Sequence, residues 1–179
     1  MFRSSRSLTA MLLGGMLTAA VPLVSASAQP AHNIPPSIAM EHESMLAYLD
    51  KIAQRKTPTG AAAKHLLEVL KAHMALEDEF VLPPLSLLPV LADGTATPDM
   101  RWAIAMSDRV KAEKEKLQQS HAGITAANLS LMAAAQAEGD GRTVAFCKDV
   151  AADDLDDVEV TEPMVILLGD ILRAKLPAK

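Results

Sequence analysis

The 179-residue chain carries 17 basic and 22 acidic residues; half of it is hydrophobic and only 3% is aromatic. A formal charge of −5 argues against a nucleic-acid partner, and a composition dominated by Ala, Leu and Met favours packed helices over sheets. Cys147 is the only cysteine, which excludes an intrachain disulfide and leaves stability to a core, with help from a metal if one binds.

At the start of the chain, Arg3 and Arg6 precede an apolar run from Met11 to Val24 that ends in Ala26-Ser27-Ala28. That order is the pattern of a signal peptide. Residues 1–28 are therefore expected to be removed, leaving 29–179 as a single domain with 15 basic residues against 22 acidic ones, a formal charge of −7. The apolar run is short for a membrane span, and no later stretch is long and uncharged enough to be one. The expectation is a soluble exported protein, periplasmic or secreted, with no integral membrane segment after processing.

The first predicted helix covers Ile38 to Ala53. Taking His42 as reference, Ile38, Met45, Leu46, Leu49 and Ala53 fall within about 60° of it on a 3.6-residue turn. His42 thus sits mid-stripe, where it is either a hydrogen-bonded core histidine or a ligand. Thr57-Pro58 reads as an N-cap followed by proline in the first turn, opening a second helix. On that helix His73 and Glu77 lie about 40° apart, joined on the same face by Leu66, Val69 and Phe80. An imidazole and a carboxylate inside an apolar stripe each need a buried partner, and a metal ion satisfies both; a hydrogen-bonded core histidine beside a rim carboxylate is the alternative. His65 lies at the edge of the stripe and is expected to pack at the boundary. Pro83 and Pro84 should kink or end the helix.

A third helix is expected from the cap at Thr97-Pro98-Asp99 towards Glu138, with Ala103, Met106, Val110, Leu117, His121, Ile124, Asn128 and Met132 on its apolar side. Lys114 interrupts that stripe. The fourth runs from about Arg142 to Ala174 with an irregularity at Pro163; around Asp153 its near side takes in Phe146, Val150, Asp157, Val160, Met164, Leu167 and Ile171. The run Asp153 to Asp157 is either a solvated surface or a pair of acids turned inward. Four amphipathic helices joined by short turns predict an all-α, up-and-down antiparallel four-helix bundle. Its core would hold His42, His73, Glu77, His121, Asp153 and Asp157, and so many buried polar groups require partners. Imidazole mixed with carboxylate suits iron or manganese, and a bridging carboxylate can hold two such ions.

These residues resemble the hemerythrin-like (HHE) cation-binding family. The resemblance lies in Glu41-His42-Glu43, in His73-x3-Glu77 with Pro83 ten residues after the histidine, and in His121. Asp153-x3-Asp157 with Pro163 repeats the spacing of His73, Glu77 and Pro83, but Asp153 stands where the family shows histidine. The resemblance implies a hemerythrin-like bundle with a non-haem di-iron centre that binds dioxygen, senses oxygen or iron, handles nitric oxide damage or carries metal. Glu77 and Asp157 would then bridge, and His42, His73 and His121 would be terminal ligands. Asp153 would add a negative ligand or leave one position weak. A ferritin-like site is disfavoured because no histidine here has a glutamate three residues before it. A metal-free interaction or scaffold bundle and a di-iron oxidase or peroxidase are the other readings; a binding protein is favoured over an enzyme.

Overall fold

The computed structural model describes residues 32–176, and the expected leader, 1–28, lies outside them. Every regular element among these residues is helical, with no strand. Helix α1 spans Pro36–Ala53 and α2 spans Pro58–Leu76. The anticipated cap forms, with the Thr57 side chain accepting a hydrogen bond from the Gly60 amide at 3.2 Å. Gly60 is needed there, since a Cβ at that position would lie 2.1 Å from the Arg55 carbonyl oxygen. None of the described helices is long and apolar enough to cross a membrane.

After α2 the chain widens into a π turn at Glu77–Val81, passes through a 3-10 turn at Pro83–Leu87 and makes the short α3, Leu88–Ala92. A 3-10 turn at Pro98–Arg101 leads into α4, Trp102–Ala112. The expected unbroken third helix is instead divided: Glu113, at φ −98° and ψ 15°, leaves the helical region before α5 begins, and α5 covers Lys114–Ala137. Gly139 turns the chain with φ +70°, a conformation glycine adopts without strain. Asp140 then caps α6, Gly141–Asp156, by accepting from the Thr143 amide. A second π turn, Asp157–Thr161, joins α6 to α7, Glu162–Lys175.

Both π turns lie just before a proline, at Pro83 and Pro163. Proline offers no N–H, and its ring crowds the carbonyl four residues back, so the preceding turn relaxes to an i→i+5 bond. In the first, the Leu82 amide donates to the Glu77 carbonyl at 2.8 Å; in the second, the Glu162 amide donates to Asp157. The extra residue rotates everything downstream by about 100°. This corrects the predicted inner face of α7: Val160, Leu167 and Ile171 are 48%, 59% and 38% exposed, whereas Val165, Leu168 and Leu172 are buried. Val165, Leu168 and Leu172 each lie one residue later than the expected Met164, Leu167 and Ile171, of which Met164 alone stays partly buried against the second cluster.

Two apolar clusters flank the middle of the fold. One gathers Leu49 and Ile52 of α1, Leu66 and Leu70 of α2, Ile124 and Leu131 of α5 and Val150 of α6. The other gathers Phe80, Val81 and Leu82 with Met106, Val110, Leu117 and Val165. Burying a side chain such as Leu66 or Leu131 contributes about 1.5–3 kcal/mol. A third cluster packs Met100 and Ala103 against Leu168 and Leu172; there Gly169 admits Ser107, whose Oγ would lie 2.1 Å from a Cβ on that glycine.

Candidate metal centre

Every chain segment that passes from the first apolar cluster to the second does so through a polar residue. Along α2 and into the π turn these are His73 and Glu77, between Leu70 of one cluster and Phe80 of the other. On α5 His121 lies between Leu117 and Ile124, and on α6 Asp153 and Asp157 lie between Val150 and Val165. On α1 His42 lies between Ile38, packed on one cluster, and Met45, packed on the other. The predicted polar positions therefore share one layer of the fold.

Within that layer, His73 and Glu77 are each only 2% exposed. The His73 Nδ1 pairs with Ser120 Oγ at 3.0 Å, which orients the ring. Its Nε2 lies 3.3 Å from Glu77 Oε1, yet neither that nitrogen nor Glu77 Oε2 has a hydrogen-bond partner. Asp157 completes the group: one ligand atom from each of His73, Glu77 and Asp157 lies within 4.8 Å of the others. His42 approaches from α1, its Nε2 3.8 Å from Glu77 Oε2. Burial and the negative charge of Glu77 push the Asp157 carboxyl up to about 7, an effect that His73 and His121 partly oppose. A cavity of about 200 Å³ opens on His42, His73, Glu77, Asp153 and Asp157. Asp153, half-buried at its wall, also has a raised pKa, through burial and the acids Glu41, Asp149 and Asp156.

His121 behaves differently. Its ring packs edge-on against His73 with centroids 4.5 Å apart, but its Nδ1 pairs with Asp154 Oδ1 at 2.8 Å and its Nε2 with Glu162 Oε1 at 3.1 Å. Carboxylates accept and do not donate, so both ring nitrogens carry protons. Burial alone would lower the pKa, but the two carboxylates raise it to about 10.

The structure thus brings His73, Glu77 and Asp157 together, sets His42 beside them, places Asp153 on the same cavity and engages His121 with other partners. Ser120, Asp154 and Glu162 were not anticipated. Asp154 lay inside an acidic run that reads as surface, and Glu162 faces inward only because the π turn precedes it. His65, expected at the boundary of the core, is exposed. Cys147 is fully buried, and burial pushes its thiol up to about 11, which removes it as a nucleophile.

No protein-family model matches the chain, and no curated protein or solved structure is similar enough to match it. The donor set can be tested on its own chemistry. Two unpartnered buried atoms, an imidazole nitrogen and a carboxylate oxygen, stand beside a second carboxylate, and oxygen with imidazole nitrogen is a donor mixture suited to iron or manganese. The residues fit such an ion.

Proposed function

We propose that this protein is an exported, hemerythrin-like binding protein that holds non-haem iron in a four-helix bundle and uses it to bind or sense dioxygen, nitric oxide or iron itself. The observation that carries the metal is the pair of orphaned atoms, His73 Nε2 and Glu77 Oε2, buried beside Asp157. A buried polar atom without a partner is costly, and a cation bound there satisfies both atoms at once.

The bundle reading is supported by direction. Along the sequence, α1 runs from the cluster containing Phe80 to the one containing Leu66, α2 runs back, α5 repeats the first direction and α6 to α7 the second. That alternation is what an up-and-down antiparallel arrangement requires. His42, His73, Glu77 and Asp157 would hold the ion, with Asp153 at the cavity wall. When bound, iron supplies a centre able to take a diatomic ligand and change oxidation state. The chain contributes the rest: Ser120 fixes the His73 ring, the flanking apolar clusters exclude bulk water, and Asp157 releases its proton to become a ligand.

The test is elemental analysis of protein loaded with ferrous iron without oxygen, followed by optical spectra before and after adding oxygen. Bound iron with an oxygen-dependent band, both lost in His73→Ala, is the expected result. Absence of iron and manganese under all loading conditions would favour the metal-free scaffold. The His121 triad supports that second reading, because it shows this core satisfying a histidine with carboxylates alone. Export is tested separately by intact mass, which should find a chain starting near Gln29.

A further inference from the structure

We infer that the site takes one metal ion per chain, coordinated by His42, His73, Glu77 and Asp157, and that His121 with Asp154 and Glu162 forms a metal-free ion triad beside it. The inference rests on the metal-binding reading above and narrows it, because the resemblance alone implies two ions.

The first support is the supply of free donor atoms. Among the imidazole and carboxylate atoms, the buried ones without hydrogen-bond partners sit together: His73 Nε2 and Glu77 Oε2 are unpartnered, Asp157 offers an oxygen to the same group, and His42 Nε2 is 3.8 Å from Glu77 Oε2. A second ion would need donors from α5 and α6, and these are in use. Both His121 nitrogens pair with carboxylates. Both Asp154 oxygens are engaged as well, Oδ1 with His121 and Oδ2 accepting from Thr125 Oγ1 at 3.2 Å. On that side of the cavity Asp153 is half-buried and Asp156 and Glu41 are exposed, and none of the three is accompanied by a free imidazole.

Charge balance points the same way. Two imidazoles and two carboxylates neutralise one divalent ion; a second would rely on half-buried Asp153 and on Glu41 and Asp156, which are exposed and screened by solvent. Turning His121 inward would also strip Glu162, 8% exposed, of its imidazole partner, and a buried carboxylate left bare is strongly disfavoured.

The experiment is a manganese(II) titration of the full chain without oxygen, with bound manganese counted after gel filtration and its magnetic resonance spectrum recorded. One ion per chain with the six-line signal of an isolated manganese is expected. His73→Ala should bind none. His121→Gln should still bind one ion, its affinity lowered by no more than the roughly 10–100-fold typical of groups outside the coordination sphere. If His121→Gln does not fold, Glu162→Gln, which keeps a hydrogen-bond acceptor, serves the same purpose and should also retain one ion. Two ions per chain with an exchange-coupled spectrum would overturn the single-ion site and leave metal binding intact. No manganese in the wild-type chain would overturn both. A folded His121→Gln that binds none would make His121 a ligand and end the proposal.

Discussion

The π turn at Glu77–Val81 and the one at Asp157–Thr161 stand in matching surroundings: each begins at a carboxylate, follows a polar residue four positions earlier and ends just before a proline. Their burial differs. The first carries Phe80 and Val81, each 1% exposed, into the core, whereas the second leaves Val158 and Val160 at 40% and 48% exposure. The residue one turn upstream also differs, buried His73 in one and half-buried Asp153 in the other. Spacing and proline are therefore enough to deliver a carboxylate to the polar layer. What the carboxylate meets there depends on its upstream neighbour and on the helices packed against it.

The sharpest way to break this comparison is to test the phase shift it implies. Leu168→Ala should cost about 2–5 kcal/mol, as for a leucine deleted from a packed core. Leu167→Ala, one position earlier and 59% exposed, should stay within about 0.5 kcal/mol. Chemical denaturation of both variants decides it, and the reverse order would mean that α7 keeps the phase of α6.

His121→Ala should come next, at about 2–4 kcal/mol near neutral pH, because it leaves Asp154 and Glu162 without their shared cation. The figure is set below that for a sealed ion pair because the two carboxylate side chains are 14% and 11% exposed. Glu77→Gln should act in the opposite sense on the metal-free protein, raising stability by about 1 kcal/mol by removing a buried charge that repels Asp157. The same variant should weaken manganese binding by at least about tenfold, since a carboxylate ligand is lost. Thermal melts with and without manganese separate the two effects.

The last test is a pH slope in the metal-free protein, spread over several pH units. His121 titrates near 6.5 when unfolded and about 10 when folded, so its stabilising contribution is complete below 6.5 and lost as pH rises to 10. Asp157 moves from 3.8 to about 7, so its protonated form is favoured in the fold and that contribution is lost between 3.8 and 7. In the other direction Asp140, held near 2 by Arg55 and Thr143, stabilises above 3.8 and ceases to do so as pH falls towards 2. Melting temperature should therefore peak under mildly acidic conditions and decline through pH 9. Asp157→Asn should flatten the decline between about pH 4 and 7; an unchanged slope would show that Asp157 is not the group responsible.

Much of the protein was legible in its residues. Thr57-Pro58 announced the start of α2, and His73 with Glu77 fell on one face because i and i+4 do so on any α-helix. The inner face of α4 and α5 also held: Ala103, Met106, Val110, Leu117, His121, Ile124 and Asn128 are all buried, despite the break at Glu113. Beyond Asp157 the same reasoning placed the wrong residues inside, since it assumed 3.6 residues in every turn and the π turn inserts one more. Tertiary structure also decided what each histidine does. An apolar stripe can show that His73 and His121 point inward, but only neighbours from other segments determine that Ser120 leaves one His73 nitrogen open, while Asp154 and Glu162 occupy both nitrogens of His121. Helix periodicity is a property of the backbone and can be read locally; the partners of a buried polar atom come from distant parts of the chain, and their positions exist only after packing.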